Sequence, residues 1–137
     1  MNIYINKQSI GKQIEELAAL YLIKHNLKIL TKNFRCKFGE IDLICNDLAE
    51  NQIIFVEVRY RRSVFFGEPV ESVNKIKQKK LIKTAHYYLN QYFYELPINY
   101  RFDIISCKGP RDLVKIDWIL GAFNSSVATI MLAMMNF

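Results

Sequence analysis

The fold of this chain is decided by the stretch GEIDLI at residues 39–44, which is complemented by FVEVRYR at residues 55–61. Polar and apolar residues alternate in both stretches, and this period of two is typical of β-strands. The residues between them are largely polar and include Asn46, Asp47 and Asn51, which favour a turn. The two stretches therefore predict an antiparallel hairpin.

The alternation also predicts which side chains share a face of each strand. In the first strand, Ile41, Leu43 and Cys45 are expected on one face and Glu40 and Asp42 on the other. In the second strand, the alternation places Val56, Val58 and Tyr60 opposite Phe55, Glu57, Arg59 and Arg61. Both strands are therefore expected to be half-buried.

Two registers of the hairpin give two interpretations of its charges. With the turn centred between residues 49 and 50, Asp42 faces Glu57, and the two carboxylates repel each other unless a cation lies between them. A divalent cation would serve, because hard cations take carboxylate oxygens as ligands. A register shifted by two residues instead pairs Asp42 with Arg59 in a salt bridge on a solvated face. The spacing alone leaves both interpretations open.

Length and composition predict one folded domain with a real core. The chain has 137 residues, of which 51% are hydrophobic and 13% aromatic. Its three cysteines show no C-x-x-C spacing, which suits reduced thiols in the cytoplasm and gives no zinc site. The sequence shows neither a secretory signal nor an apolar run of the roughly 18 residues that a membrane span needs. A cytoplasmic protein is therefore predicted.

Around the hairpin, the pattern predicts the order helix, three strands, helix, two strands. The first helix is expected from an N-cap at Ser9 to about His25, with Asn26 as its stop. The second is expected from about Pro69 to Phe93. The remaining strands are predicted over residues 27–35, 101–108 and 113–120. This order predicts an α/β sandwich with a mixed central sheet.

The second helix combines an apolar stripe with a basic outer face. The stripe is predicted to contain Val73, Ile76, Leu81, Ile82, Ala85, Tyr88, Leu89, Tyr92 and Phe93. The basic residues from the hairpin through this helix are Arg59, Arg61, Arg62, Lys75, Lys77, Lys79, Lys80 and Lys83. Against two acidic residues they give this segment a surplus of six positive charges, equal to the +6 of the whole chain. The concentration favours binding to a phosphate backbone, with a solvated helix face as the alternative.

The last fourteen residues form an apolar tail. We expect residues 1–123 to form the domain and residues 124–137 a tail that is helical and largely buried over residues 127–135. Docking on its own domain, and hence a monomer, is favoured. A contact between two chains, and hence a homodimer, is the alternative.

Several of these segments resemble the YraN-like family of bacterial proteins. The resemblance rests on the pattern G-x-x-x-E-x-x-A-x-x-x-L at residues 11–22, NFR at 33–35, the two hairpin stretches, RFD at 101–103 and AF at 122–123. That family is grouped with the restriction-endonuclease-like superfamily, which includes Holliday-junction resolvases and tRNA-splicing endonuclease-like domains. The resemblance implies a three-layer α/β sandwich of the restriction-endonuclease type.

The resemblance also implies a site. The superfamily uses a helix carboxylate, an Asp and a Glu-x-Lys motif, which correspond here to Glu15, Asp42 and Glu57, with Arg59 at the position of the lysine. Its carboxylates hold one or two Mg²⁺ or Mn²⁺ ions, so Asp42 and Glu57 are the implied metal ligands. Arginine cannot act as a base at ordinary pH, yet it can brace a phosphate oxygen. Metal binding is therefore expected, whereas the arginine at the lysine position leaves open whether the protein cleaves phosphodiester bonds.

Together, the resemblance and the basic residues predict a protein that binds nucleic acid and acts as a metal-dependent phosphodiesterase. DNA with branched or single-stranded features is favoured over RNA as the partner. One alternative is a nuclease-derived module that binds nucleic acid without cleaving it. Another is a protein-interaction domain whose basic helix docks on an acidic partner or a membrane surface.

Two further interpretations concern charged pairs. Glu40 is expected to be the salt partner of Arg59, with a supporting role at the metal site as the alternative. Arg101 and Asp103 are expected to tie the sheet together.

Overall fold

The computed structural model describes residues 7–62, 73–93 and 98–123. The elements are α1 (Lys7–Lys24), β1 (Leu27–Cys36), β2 (Gly39–Asp47), β3 (Gln52–Arg61), α2 (Lys75–Phe93), β4 (Asn99–Lys108) and β5 (Lys115–Phe123). Their order is the predicted one. The expected tail helix at residues 127–135 lies outside the described residues.

The five strands form one mixed sheet in the order β1-β2-β3-β4-β5. The β3–β4 pair is parallel over its whole length, and the other three pairs are antiparallel. Residues of α1 pack on one face of the sheet and residues of α2 on the other. The predicted α/β sandwich with a mixed sheet is confirmed, and its three layers are helix, sheet and helix.

Residues 43–45 of β2 and 53–57 of β3 are buried in succession, so the expected half-burial is wrong for these segments, where a helix covers each face of the sheet. On β3, Val56 belongs to the cluster beneath α1 and Phe55 to the cluster beneath α2, as the alternation predicts. On β2, the expected grouping of Ile41 with Leu43 and Cys45 fails. Leu43 and Cys45 lie in the α1 cluster, whereas Ile41 lies in the α2 cluster. The strict alternation of β2 is therefore interrupted at Asp42.

The helix ends were predicted with mixed success. Helix α1 begins at Lys7, so Ser9 lies within it and is not its N-cap. The stop at Asn26 is confirmed, since this residue has φ 68°, the left-handed conformation that ends many helices. Helix α2 begins at Lys75, not at Pro69, because the side chain of Asn74 accepts the N–H of Lys77 over 2.9 Å and caps the helix.

Two members of the predicted stripe of α2 are exposed. Ile76 is 68% exposed because it lies two and a half turns before Ala85, on the opposite side of the helix. Tyr92 is 60% exposed in the last turn, where its ring contacts that of Tyr88 at 4.7 Å. Leu81 and Ile82, also in the stripe, are buried as expected.

A buried carboxylate on β4 takes part in a hydrogen-bond network that links three strands of the sheet. Asp103 of β4 is fully buried and receives hydrogen bonds from Arg101 Nε, from Trp118 Nε1 and from the backbone N–H of Gly121, all at 2.9–3.1 Å. Arg101 also donates to Gln52 of β3 over 2.9 Å. The network spans β3, β4 and β5, so the expected structural role of Arg101 and Asp103 fits their contacts.

Candidate functional site

The hairpin adopts the register that places Asp42 beside Glu57. Strands β2 and β3 pair from Asp47↔Gln52 to Leu43↔Val56, which centres the turn between residues 49 and 50. Pairing between them stops there, while β2 continues with β1 and β3 continues with β4. The two strands therefore part at Asp42 and Glu57, and we call this opening the fork. The alternative register, with Asp42 opposite Arg59, is not adopted.

The carboxylate of Asp42 continues the ladder where the backbone pairing ends. Its Oδ2 accepts the backbone N–H of Val58 over 2.8 Å. A side chain that binds the backbone of a neighbouring strand must lean towards the plane of the sheet. This position agrees with the interrupted alternation of β2, in which Ile41 and Leu43 lie on opposite faces.

Asp42 is poorly stabilised as an anion. Burial raises its pKa from 3.8 to about 7, with further contributions from the negative charges of Glu57 and Glu15. The Val58 N–H and the charge of Lys77 act in the opposite direction but do not offset these effects. Of the three carboxylates that the resemblance implies, Glu57 and Glu15 thus both act electrostatically on Asp42.

Glu57 is buried and held by two cations. Glu57 is 7% exposed, and its Oε1 lies 2.8 Å from Lys77 Nζ and 3.4 Å from Arg59 Nε. Lys77 comes from the first turns of α2, which covers this face of the sheet. A buried carboxylate needs such partners, because an unpaired buried charge is costly.

The donor set of the fork suits a hard divalent cation. Across the described parts of the chain, no group of three or more His, Cys, Asp or Glu residues lies close enough to hold a metal by itself. Mg²⁺, however, is usually bound by only one or two carboxylates together with water and substrate phosphates. Asp42 and Glu57 supply two such carboxylates at the point where β2 and β3 part. The residues therefore fit Mg²⁺ or Mn²⁺.

The predicted basic residues occupy different positions around this site. Lys75, Lys79, Lys80 and Arg62 are exposed, and Arg61 and Lys83 are half-buried. Lys77 differs from the rest because its ammonium contacts Glu57. Lys77 and Lys80, with Gly39 and Glu40 of β2, also line a cleft of about 370 Å³ between the start of β2 and α2. Lys77 therefore lines the cleft and also contacts Glu57 at the fork, so the two features are adjacent.

Sequence reasoning misassigned one pair and missed one contact. Glu40 pairs with Arg35 of β1 at 3.1 Å and not with Arg59, so that expectation is wrong. The two-residue turn between Cys36 and Gly39 puts Arg35 directly across from Glu40, and this short spacing could have indicated the pair. The contact of Lys77 with Glu57 depends on how α2 lies across the sheet, which no local pattern in the sequence reveals.

Two of the three cysteines are buried. Cys36, Cys45 and Cys107 are free thiols. Burial raises the pKa of the Cys45 thiol to about 12 and that of Cys107 to about 11, so both remain protonated at neutral pH.

Of the helices described, none has the length and apolar character needed to cross a membrane.

Comparison with known proteins finds similarity over most of the chain. The model of "Uncharacterised protein family UPF0102" matches residues 14–107. A UPF0102 protein of Caldanaerobacter subterraneus subsp. tengcongensis is 47% identical over 122 residues, covering 87% of this chain and 98% of the relative. One of Coxiella burnetii is 45% identical over 115 residues (84% and 92%), and one of Vibrio parahaemolyticus is 43% identical over 120 residues (87% and 95%).

Proposed function

The chain belongs to the UPF0102 family, and we propose that it binds nucleic acid and hydrolyses phosphodiester bonds with Mg²⁺ or Mn²⁺ at the fork. The observation that carries this proposal is that Asp42 and Glu57 lie where β2 and β3 part. The negative charge of Glu15, on α1, contributes to the raised pKa of Asp42. A helix carboxylate, an Asp and a Glu in this order also match the site of the restriction-endonuclease-like superfamily that the sequence resembles.

Each residue of the fork has a distinct role in the proposed chemistry. Asp42 and Glu57 hold the cation, which supplies Lewis-acid stabilisation of phosphate charge and a more acidic water. The Val58 N–H fixes the orientation of the Asp42 carboxylate, since it donates to Oδ2 over 2.8 Å. Glu15 adds negative charge behind Asp42 and so strengthens cation binding.

The cations beside Glu57 complete the site. Arg59 stands where the resemblance implies a lysine, and its guanidinium can bind a phosphate oxygen in a bidentate manner. Lys77 supplies an ammonium from α2, 2.8 Å from Glu57 Oε1. We assign to Lys77 the positioning of Glu57 and to Arg59 the bracing of the substrate phosphate.

One observation favours a second candidate function, a binding module that does not cleave. Lys77 and Arg59 already compensate the charge of Glu57, which weakens the need of that carboxylate for a metal ion. The surrounding basic residues would then bind nucleic acid without chemistry. DNA with branched or single-stranded features is the favoured partner in both proposals, with RNA as the alternative.

The test is cleavage of a panel of branched, nicked, single-stranded and duplex DNA, and matching RNA, in Mn²⁺, Mg²⁺ or EDTA. We expect nicking that requires the metal and is abolished by Asp42→Asn. Glu40→Gln is the matched control, because Glu40 is an exposed carboxylate of the same strand that pairs with Arg35 outside the fork. It should cleave like the wild type.

Binding is measured in parallel in EDTA, so that loss of cleavage and loss of binding are distinguished. Affinity should fall with salt with a slope of about −0.7 to −0.9 per neutralised phosphate. Reversing Lys79 and Lys80 to Glu should weaken binding to all sequences about equally. Salt-sensitive binding without cleavage by wild type or Arg59→Lys would favour the binding module, and the absence of binding would contradict both candidates.

A further inference from the structure

A cavity separate from the cleft lies where β3 ends, and we call it the arginine cavity. It measures about 270 Å³ and is lined by Ile10, Tyr60, Arg62, Pro110, Arg111 and Asp112. These residues come from the start of α1, the end of β3 and the turn between β4 and β5. The volume lies just below the range of about 300–1,000 Å³ that is typical of sites for drug-sized ligands. The cavity therefore suits a small group.

Hydrogen bonds bring the two arginines of this cavity together from distant parts of the chain. The backbone N–H of Gly109 donates to the carbonyl of Arg61 over 2.9 Å. The hydroxyl of Tyr60 donates to the carbonyl of Gly109 over 2.8 Å. The end of β3 is thus fastened to the residues that follow β4. Arg62 and Arg111 therefore line the same cavity.

The turn that carries Arg111 has a defined backbone. Leu113 donates its N–H to the carbonyl of Pro110 over 2.9 Å, which closes the turn. Gly109 has φ 105°, and a Cβ at this position would lie 2.9 Å from the carbonyl oxygen of Leu113. A larger residue does not fit there without a shift of the backbone. Arg111 therefore extends from a fixed position beside the cavity.

The lining of the arginine cavity carries positive charge. Arg62 and Arg111 are exposed, and within the described part of the chain neither of them forms a salt bridge. Against these two cations the lining includes the carboxylate of Asp112, which leaves a net charge of +1. A guanidinium can donate two parallel hydrogen bonds to a phosphate. Two guanidinium groups from different elements can therefore hold one phosphate from two sides.

The arginine cavity lies at the end of the sheet towards which the fork opens. Pairing between β2 and β3 stops at Leu43↔Val56, and β3 continues through Glu57 to Arg61. Arg62 follows directly. The five residues from Glu57 to Arg62 correspond to about 16 Å along an extended strand. That length equals about five nucleotide steps at about 3.4 Å each.

The cavity also lies on the side of the sheet that α1 covers. Ile10 and Tyr60 both pack against the core cluster beneath α1. Glu15 of the same helix acts electrostatically on Asp42 at the fork. A nucleic-acid strand that leaves the fork along this side of β3 therefore passes the arginine cavity.

We propose that Arg62 and Arg111 together bind one phosphate group of the nucleic acid held at the fork, about five nucleotides from the scissile bond. This inference rests on the proposed function and adds to it a second contact that sets the position of the strand. The basic residues predicted from the sequence include Arg62 but not Arg111. The phosphate belongs either to the backbone or to the end of a strand, and both sources offer anionic oxygens to the guanidinium groups.

The first test measures binding of a single-stranded oligonucleotide in EDTA by fluorescence anisotropy over a range of salt concentrations. Arg62→Gln and Arg111→Gln should each lower the affinity about tenfold at low salt. The double variant should lose less than the product of the two single effects, because both arginines hold the same phosphate. Its salt slope should be smaller than that of the wild type by about 0.7, the value of one phosphate on a single strand.

A matched control and a charge change of opposite sign accompany these variants. Lys28→Gln also removes one exposed cation, but Lys28 lies across from Asn46 at the closed end of the hairpin, so it should bind like the wild type. Asp112→Asn removes the negative charge from the lining and should tighten binding about threefold. Damage to the turn would weaken binding instead. A decrease of about 1.4 in the slope of the double variant would contradict a shared phosphate.

Three oligonucleotides of one sequence distinguish the two sources of the phosphate. They carry a 5′-phosphate, a 3′-phosphate or hydroxyl groups at both ends. If the site takes a terminal phosphate, one phosphorylated strand binds more tightly than the hydroxyl-ended strand, and the double variant loses this gain. Equal affinity for the three strands, together with the losses given above, assigns the site to a backbone phosphate.

A measurement on the unaltered protein guards against misfolded variants. Phenylglyoxal modifies arginine side chains, and mass spectrometry locates the modified residues. The oligonucleotide should slow the modification of Arg62 and Arg111, whereas oligoglutamate of equal charge should not. Equal protection by oligoglutamate would contradict the preference for phosphate.

The outcomes separate this inference from the proposed function. If the oligonucleotide binds but protects neither arginine, or if both glutamine variants keep the wild-type affinity, the inference is overturned and the proposed function stands. Absence of binding to every nucleic acid would contradict the proposed function itself, and the inference with it.

Discussion

Val58 donates its backbone N–H to Oδ2 of Asp42 over 2.8 Å, one step beyond the last backbone pair of β2 and β3. The carboxylate thus replaces a carbonyl at the point where the two strands part. This hydrogen bond fixes an acidic side chain beside Glu57 in a buried opening. The fork therefore holds the Asp42 carboxylate in a defined position where burial, and then the charge of Glu57, disfavour its anion.

The first prediction concerns the pH dependence of stability without divalent cations. The pKa of Asp42 is raised from 3.8 to about 7, so between these values the folded state holds a proton that the unfolded state releases. The contribution of Asp42 to stability is present below about pH 4 and is lost as the pH rises through about 7. Asp42→Asn should remove this loss, because its amide oxygen can still accept the Val58 N–H.

Thermal unfolding in EDTA from pH 4 to pH 9 measures this effect. The melting temperature of Asp42→Asn should exceed that of the wild type at pH 8 by several degrees, since about 1 kcal/mol is worth about 2–4 °C in a domain of this size. The difference should shrink towards pH 4. Glu40→Gln should run parallel to the wild type, and a parallel curve for Asp42→Asn would contradict the raised pKa.

The second prediction concerns divalent cations. A cation that binds Asp42 and Glu57 only in the folded state should stabilise it by about 2.7 kcal/mol at one hundred times its Kd. At pH 8, Mn²⁺ should therefore raise the melting temperature of the wild type and of Glu40→Gln, and should leave that of Asp42→Asn unchanged. KCl of equal ionic strength is the control for screening. No shift in the wild type would remove the metal site from the proposal.

The fork was predictable in part from local patterns. The period of two predicted the hairpin and the alternation of β3, but the spacing left two registers open, and the structure adopts the one that brings Asp42 beside Glu57. The interruption of β2 at Asp42 was not predictable, since it accompanies a hydrogen bond to Val58 on another strand. Local pattern therefore limited the residues that could meet to two sets, but it did not decide between them or show how the Asp42 side chain lies.

Contacts made by α2 were beyond the reach of local pattern. The sequence placed Lys77 on a basic helix face, whereas the packing of α2 across the sheet brings its ammonium to Glu57. Similarly, Glu40 was expected to form a salt bridge with Arg59, but the short β1–β2 turn places Arg35 across from Glu40, and these two residues form the salt bridge. Such contacts depend on the arrangement of several elements, which a single sequence does not encode in any short segment.

The third prediction concerns the network at Asp103. Asp103→Asn leaves the half-buried guanidinium of Arg101 without its carboxylate and replaces an acceptor of the Trp118 and Gly121 N–H groups. Breaking a buried ion pair by removing one partner costs about 3–5 kcal/mol. Urea denaturation, followed by the emission of Trp118, the single tryptophan of the chain, measures this loss.

Asp112→Asn is the control for the third prediction. Asp112 is an exposed residue in the turn between β4 and β5, so its substitution should change stability by no more than about 0.5 kcal/mol. A similar small effect of Asp103→Asn would show that the network contributes little to the sheet.

The last prediction separates the roles of Lys77 and Arg59. Lys77→Met removes the ammonium 2.8 Å from Glu57 Oε1 and leaves that carboxylate with Arg59 at 3.4 Å. Because Lys77 is partly exposed, solvent screens the pair, and we expect a stability loss of only about 1 kcal/mol. Metal-dependent cleavage should fall at least tenfold, since Glu57 is then less well positioned.

Substitutions at residue 59 of β3 test whether an ammonium can support Glu57 from β3 as well as from α2. Arg59→Lys introduces, on β3, the residue type that the resemblance implies, and it should raise cleavage in the wild-type background. In the Lys77→Met background, Arg59→Lys should restore part of the lost activity, because a lysine on β3 can again contact Glu57. Lys79→Met, which removes an exposed lysine of the same helix, should leave the cleavage rate at saturating substrate unchanged. If Lys79→Met lowered that rate as much as Lys77→Met, the effect would belong to the overall positive charge of α2 and not to the contact with Glu57.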